Sequence, residues 1–153
     1  MRALFFALVL ALSVAAPVAA RDQVPFRGSM SGTAAVTPVA PPIFSVLLET
    51  SGTANQLGHF TLVAPHTVNQ ATLSATGTYL LTAADGSTLT ASLSGSATML
   101  PSGLLSIAEV GVITGGTGRF EGATGTFSTQ RIFDRASGAT HGTFEGWIST
   151  PGN

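Results

Sequence analysis

From residue 43 onward the chain is a succession of short stretches rich in Thr, Val, Ile, Leu and Phe. Gly, Asn, Asp and Ser interrupt them at intervals of roughly ten residues, the spacing of strands and turns. The clearest stretch is 88–98, where Leu89, Ala91, Leu93 and Ala97 alternate with Thr90, Ser92, Ser94, Ser96 and Thr98. A period of two puts one set on each face of a half-buried strand. The pattern predicts strands at 43–51, 57–64, 67–75, 78–84, 88–98, 104–114, 125–133 and 141–149, and a further one at 26–32. That is one more than a closed barrel of eight requires, so one segment is superfluous or an edge. Asp85-Gly86 supplies positive φ for a tight hairpin before 88–98, and Ser137-Gly138 closes a second within 134–139. The run Thr37-Pro38-Val39-Ala40-Pro41-Pro42 cannot donate regularly to a ladder and is read as a loop. The expected fold is all-β, an eight-stranded antiparallel closed β-barrel over 43–149. A 21–42 entry segment precedes it and a 150–153 tail follows.

Residues 1–20 have the layout of a secretory signal: Arg2, an apolar stretch from Leu4 to Val14, and Val18-Ala19-Ala20 before Arg21. The chain is therefore expected to be secreted, with cleavage after Ala20. Beyond that point five arginines face seven carboxylates, a net charge of −2, and the chain has no lysine. Nucleic acid is excluded as a partner, because its binding needs clustered cations. Without cysteine there is no disulfide and no thiolate metal site, so packing and strand pairing must hold the fold. A membrane-embedded barrel is also disfavoured, since one Trp and one Tyr cannot form aromatic girdles.

The most distinctive segment is Gly111-Val112-Ile113-Thr114-Gly115-Gly116-Thr117-Gly118-Arg119-Phe120-Glu121-Gly122-Ala123-Thr124-Gly125. Its glycines allow positive φ and close packing, so that Phe120 can turn inward and plug one barrel end. A phosphate loop would need glycine where Glu121 stands and Lys-Ser or Lys-Thr afterwards. The segment resembles the signature of the allene oxide cyclase and dirigent barrel superfamily, in Gly115, Gly116, Gly118, Phe120, Gly122 and Gly125. Asp134 and Gly138 extend the likeness, which covers residues 111–146. The resemblance implies a barrel with a central cavity, small apolar molecules as ligands, no cofactor, and often a homotrimer. It carries over no catalytic residue.

The chemistry candidates are few. His59, His66 and His141 lie far apart, with no ligand spacing, and are read as surface or turn histidines, so no metal site is expected. Gly28-Ser29-Met30-Ser31-Gly32 misses the nucleophile elbow because Met30 occupies its centre. Glu49 and Glu109 lie within apolar strands, and a carboxyl inside a barrel is desolvated toward the pKa range of a general base. Glu49 shares its face with Ile43, Ser45 and Leu47, and Glu109 with Leu105, Ile107 and Ile113. Pairing the last hairpin about Ser137 puts Phe127, Arg131 and Phe133 on one face with His141, Glu145 and Trp147. Arg131, Glu145 and Trp147 are then either an ion pair under aromatics or the polar anchor of an apolar pocket. Three functions are open. The leading one is a dirigent-like barrel that binds or shields a small apolar ligand without catalysis. The others are a cofactor-free isomerase or cyclase using Glu49 or Glu109, and a structural or surface-interaction protein with a filled core.

Overall fold

The computed structural model describes residues 22–151; the expected signal at 1–20 and the last two residues of the tail lie outside them. Eight strands follow in order: β1 (Val24–Ala40), β2 (Ile43–Ala54), β3 (Gly58–Asn69), β4 (Ser74–Ala83), β5 (Thr88–Met99), β6 (Leu105–Gly116), β7 (Thr124–Phe133) and β8 (Ala139–Ser149). Each pairs antiparallel with the next and β8 with β1, which closes the barrel. One turn of 3-10 helix, Gly118–Phe120, sits between β6 and β7. No helix among the described residues is long and apolar enough to cross a membrane.

Alternation decides which side chains fill the lumen. Leu89, Ala91 and Leu93 point in while Ser92, Ser94 and Ser96 face solvent, as the period of two in this stretch demands. Two expectations need correction. The loop at 37–42 and the entry segment before it are one strand, β1, as far as Ala40. Its pairing with β8 stops at Thr33, so the strand beyond has one open side that accommodates Pro38, and its register against β2 shifts between Pro38 and Ala40. In place of separate strands at 57–64 and 67–75, a single strand, β3, runs through Pro65 to Asn69, followed by a turn at 70–73 and the start of β4 at Ser74. Pro65 and Ala64 have no ladder partner on β4, yet pairing resumes in the same register on either side, Val63 with Leu80 and His66 with Gly77. The missing N–H removes a rung without ending the strand, and merging the two segments brings nine candidates to eight strands.

The lumen has two unlike halves. Toward the β6–β7 connection it is filled by aromatic rings: Phe26, Phe127 and Phe144 pack mutually at centroid distances of 4.9–5.6 Å, flanked by Phe60 and Tyr79. Edge-on and tilted contacts of this kind add to the apolar area the rings bury. Phe120 is buried beneath them and closes that end. Arg119 lies over the Phe120 ring at 4.5 Å and also bonds Asp85 and the Gln56 carbonyl, which ties three loops together. Toward the turns at 41–42, 70–73, 100–104 and 134–138 the lumen is hollow.

Candidate functional site

The hollow half exists because inward positions of β4 and β5 there carry little side chain: Ala75 on β4 and Ala97 on β5 line it. The resulting cavity holds about 660 Å³ and is walled by apolar groups that include Val46, Val68, Leu105, Ile107 and Phe133, with Arg135 at its rim. Volumes of this order suit small organic ligands. A larger hollow of about 830 Å³ runs across the outside of β8, β1, β2, β3 and the end of β4, but it is open to solvent and bordered by outward Ser, Thr and His residues. It encloses nothing.

The cavity floor is polar, and it rests on the aromatic half. Arg131 on β7 donates from Nη2 to Glu109 Oε1 at 2.7 Å and from Nε to Oε2 at 3.1 Å, a two-pronged pair. Tyr79 Oη donates to Glu109 Oε2 at 2.7 Å. Arg131 Nη1 reaches Thr140 Oγ1 at 3.4 Å, and that hydroxyl donates to the Ile132 carbonyl. The side chains of Arg131 and Glu109 are 3% and 0% exposed, so the pair is held in a low-dielectric site. Burial alone would raise the Glu109 pKa. The hydrogen bonds and charge of Arg131, aided by Tyr79, outweigh it and hold the carboxyl below its ordinary range. Tyr79 is pushed well above the usual phenol range, first by burial and then by the Glu109 charge.

His66 on β3 completes the floor. Its Nδ1 lies 2.9 Å from the Ala64 carbonyl oxygen. A carbonyl only accepts, so Nδ1 carries the proton. Burial lowers the His66 pKa against the raising effect of that bond and of Glu109, which keeps the ring neutral near pH 7.

Neither a protein-family model nor a curated protein sequence matches this chain. Solved structures do. The pterocarpan synthase dirigent protein GePTS1 superposes with a TM-score of 0.64 at 14% identity, over 93% of this chain and 99% of its own. The pterocarpan synthase dirigent protein PsPTS1 does so with a TM-score of 0.63 at 14% identity, over 86% and 97%. The fold is a dirigent-like barrel. At that identity the likeness describes backbone architecture and not activity.

Within the dirigent-like barrel the sequence-level candidates separate. Glu109 points into the lumen with Leu105, Ile107 and Ile113, the face expected for it. Glu49 does not: its face, with Ser45 and Leu47, is the outer one, while Val46, Leu48 and Thr50 point inward. The apolar residues on that face are surface residues, with Leu47 41% exposed.

The last hairpin is one residue out of the expected register. Phe133 pairs with Thr140 rather than His141, and Trp147 faces Thr126 rather than Phe127. A slip of one residue exchanges faces. Arg131 therefore shares the lumen with Thr140 and Phe144, whereas Glu145 is exposed and Trp147 half-buried on the outer side, and the partner of Arg131 is Glu109. The cause is the loop at 134–138, where Asp134 accepts hydrogen bonds from Ala136 N and Ser137 Oγ, so that the connection from Phe133 to its partner Thr140 is one residue shorter than pairing about Ser137 would leave.

The glycine motif sits at the closed end, away from the cavity. A Cβ on Gly116 would collide with the Thr88 carbonyl and lie 2.8 Å from Phe120 Cβ, so this close approach requires glycine. Gly118 and Gly122 have φ of +58° and +68°, and Gly115 and Gly125 of +147° and +151°.

Two floor residues were missed. His66 alternates with Phe60, Leu62, Ala64 and Val68, an inward pattern that breaking the strand at Pro65 concealed. Tyr79 had no signal beyond its place in a β-rich stretch.

Proposed function

We propose that this dirigent-like barrel, exported and processed after Ala20, binds or shields a small, mainly apolar molecule in the lumen without transforming it. The observation that carries this reading is the 660 Å³ hollow, apolar on its walls and polar at its floor and rim. Apolar surface supplies the driving force for a ligand, and a few convergent polar groups orient it. Glu109 is a poor general base here, because both of its oxygens already accept hydrogen bonds and its proton affinity is depressed.

A cofactor-free isomerase or cyclase is the second reading. Glu109 and His66 lie within the lumen, and the two structural neighbours bear the name synthase. A filled-core structural role is disfavoured by the volume left open.

Native mass spectrometry of the mature protein from its own host tests the binding reading. A small molecule that travels with the folded protein and leaves on denaturation is the expected result. A bare chain that also takes up no apolar probe overturns it.

A further inference from the structure

We propose that His66 Nε2 is the recognition point of the cavity and that it accepts a hydrogen bond from the hydroxyl of a neutral, mainly apolar alcohol. This rests on the reading of the lumen as a ligand cavity and adds the chemistry that the ligand must carry.

The argument is one of unspent hydrogen-bonding capacity. With Nδ1 donating to the Ala64 carbonyl, a neutral imidazole leaves a lone pair on Nε2. No donor among the described residues takes that lone pair. Nor is Nε2 among the buried polar atoms shut away without a partner. The ring lines the cavity, so the lone pair is offered to its contents. Its charged neighbours on the floor, Glu109 and Arg131, are committed to each other at 2.7 Å.

Ligand charge is then decided by elimination. A carboxylate ligand would have to share Arg131 with Glu109 and lie against its negative charge. An ammonium ligand would find Glu109 already neutralised. On the floor, one guanidinium against one carboxylate leaves no net charge to select an ion; Arg135 is exposed at the rim, where water screens its charge, and an ion moving from there into the apolar cavity would lose its hydration. A hydroxyl loses less, and Nε2 replaces the hydrogen bond it gave to water. The same ligand without its O–H would leave the acceptor unpaired.

The test is displacement of the fluorescent apolar probe N-phenylnaphthylamine by farnesol and by farnesyl methyl ether, which share a frame and differ in the O–H. Farnesol is expected to displace the probe from the wild-type protein about fivefold more effectively, the worth of one net hydrogen bond. In His66→Phe the two should become equal. In His66→Gln, whose side-chain oxygen can accept, part of the preference should return. Equal displacement from the wild type overturns the proposal while the cavity reading stands, and so does a preference that survives in His66→Phe. Failure of the probe to bind at all sinks the cavity reading and takes this inference with it. Should His66→Phe not fold, the wild-type comparison still decides.

Discussion

Gly95 stands directly across the β5–β6 ladder from Glu109, and a Cβ placed on it would lie 2.6 Å from Glu109 Cγ. Two other floor residues have the same arrangement. His66 faces Gly77 across β3–β4, and Arg131 faces Gly142 across β7–β8; a Cβ on either glycine would overlap its partner or press on it. A long side chain folded over a glycine on the neighbouring strand is how the narrow lumen holds an ion pair and a histidine at one level.

Gly95→Ala should therefore disturb Glu109 more than its neighbour Ser94→Ala, whose side chain faces solvent. The expected loss is about 1–3 kcal/mol for Gly95→Ala, as for other overpacked sites, and within about 0.5 kcal/mol for Ser94→Ala. Urea unfolding of the two variants measures the difference. Equal values would mean that the Gly95 contact does not constrain Glu109.

Breaking the buried pair from one side should be costly. Arg131→Met leaves Glu109 uncompensated and should destabilise by about 3–5 kcal/mol. Adding Glu109→Gln removes the stranded charge, keeps an acceptor for Tyr79, and should recover much of the loss. A double-mutant cycle by chemical denaturation reads the coupling; additive effects would contradict a mutually dependent pair.

Acid should act in two stages. His66 is held below its ordinary 6.5 chiefly by burial, so its neutral form stabilises the fold above that pH and the contribution is lost as pH falls below 6.5. Glu109 is held below 4.5, where Arg131 and Tyr79 together overcome burial, so its contribution is lost as pH falls from 4.5 downward. The urea midpoint of the wild type should start to decline below pH 6.5, and His66→Phe should lack that first segment. Superposed profiles of the two proteins would refute the assignment to His66.

At the closed end Phe120 should outweigh the Arg119–Asp85 pair. Phe120→Ala empties a buried plug and should cost about 3–5 kcal/mol. The Arg119–Asp85 pair has side-chain exposures of 44% and 50%, where water screens the interaction, and Asp85→Ala should cost far less than Phe120→Ala. Thermal unfolding of both variants ranks them, and the reverse order would contradict the plug.

The barrel was legible in the sequence because alternation is a local signal: 88–98 shows it without interruption, and β5 spans 88–99. The inward face of Glu109 followed from the same rule. Glu49 misled because Leu47 is an exposed apolar residue, and pattern alone does not distinguish an apolar outer face from an inner one. Glu145 and Trp147 were misplaced by loop length, since register in a hairpin depends on how many residues the turn absorbs. The Glu109–Arg131 pair joins adjacent strands, but its detection required the correct hairpin register as well as the correct face. His66 was hidden because it fell in the gap between the strands expected at 57–64 and 67–75, which β3 bridges through Pro65. The cavity was not legible, because small inward residues such as Ala75 and Ala97 are as compatible with a filled core as with the open lumen they line.

The most direct measurement is a fluorescence titration of N-phenylnaphthylamine against the wild type and Ala97→Phe, in which the new ring projects into the hollow half of the lumen. One probe should bind per barrel, and Ala97→Phe should abolish binding while leaving the circular dichroism spectrum of a β-barrel. Undiminished binding to a folded Ala97→Phe, or no binding to the wild type, would contradict a ligand cavity above the Arg131–Glu109 floor.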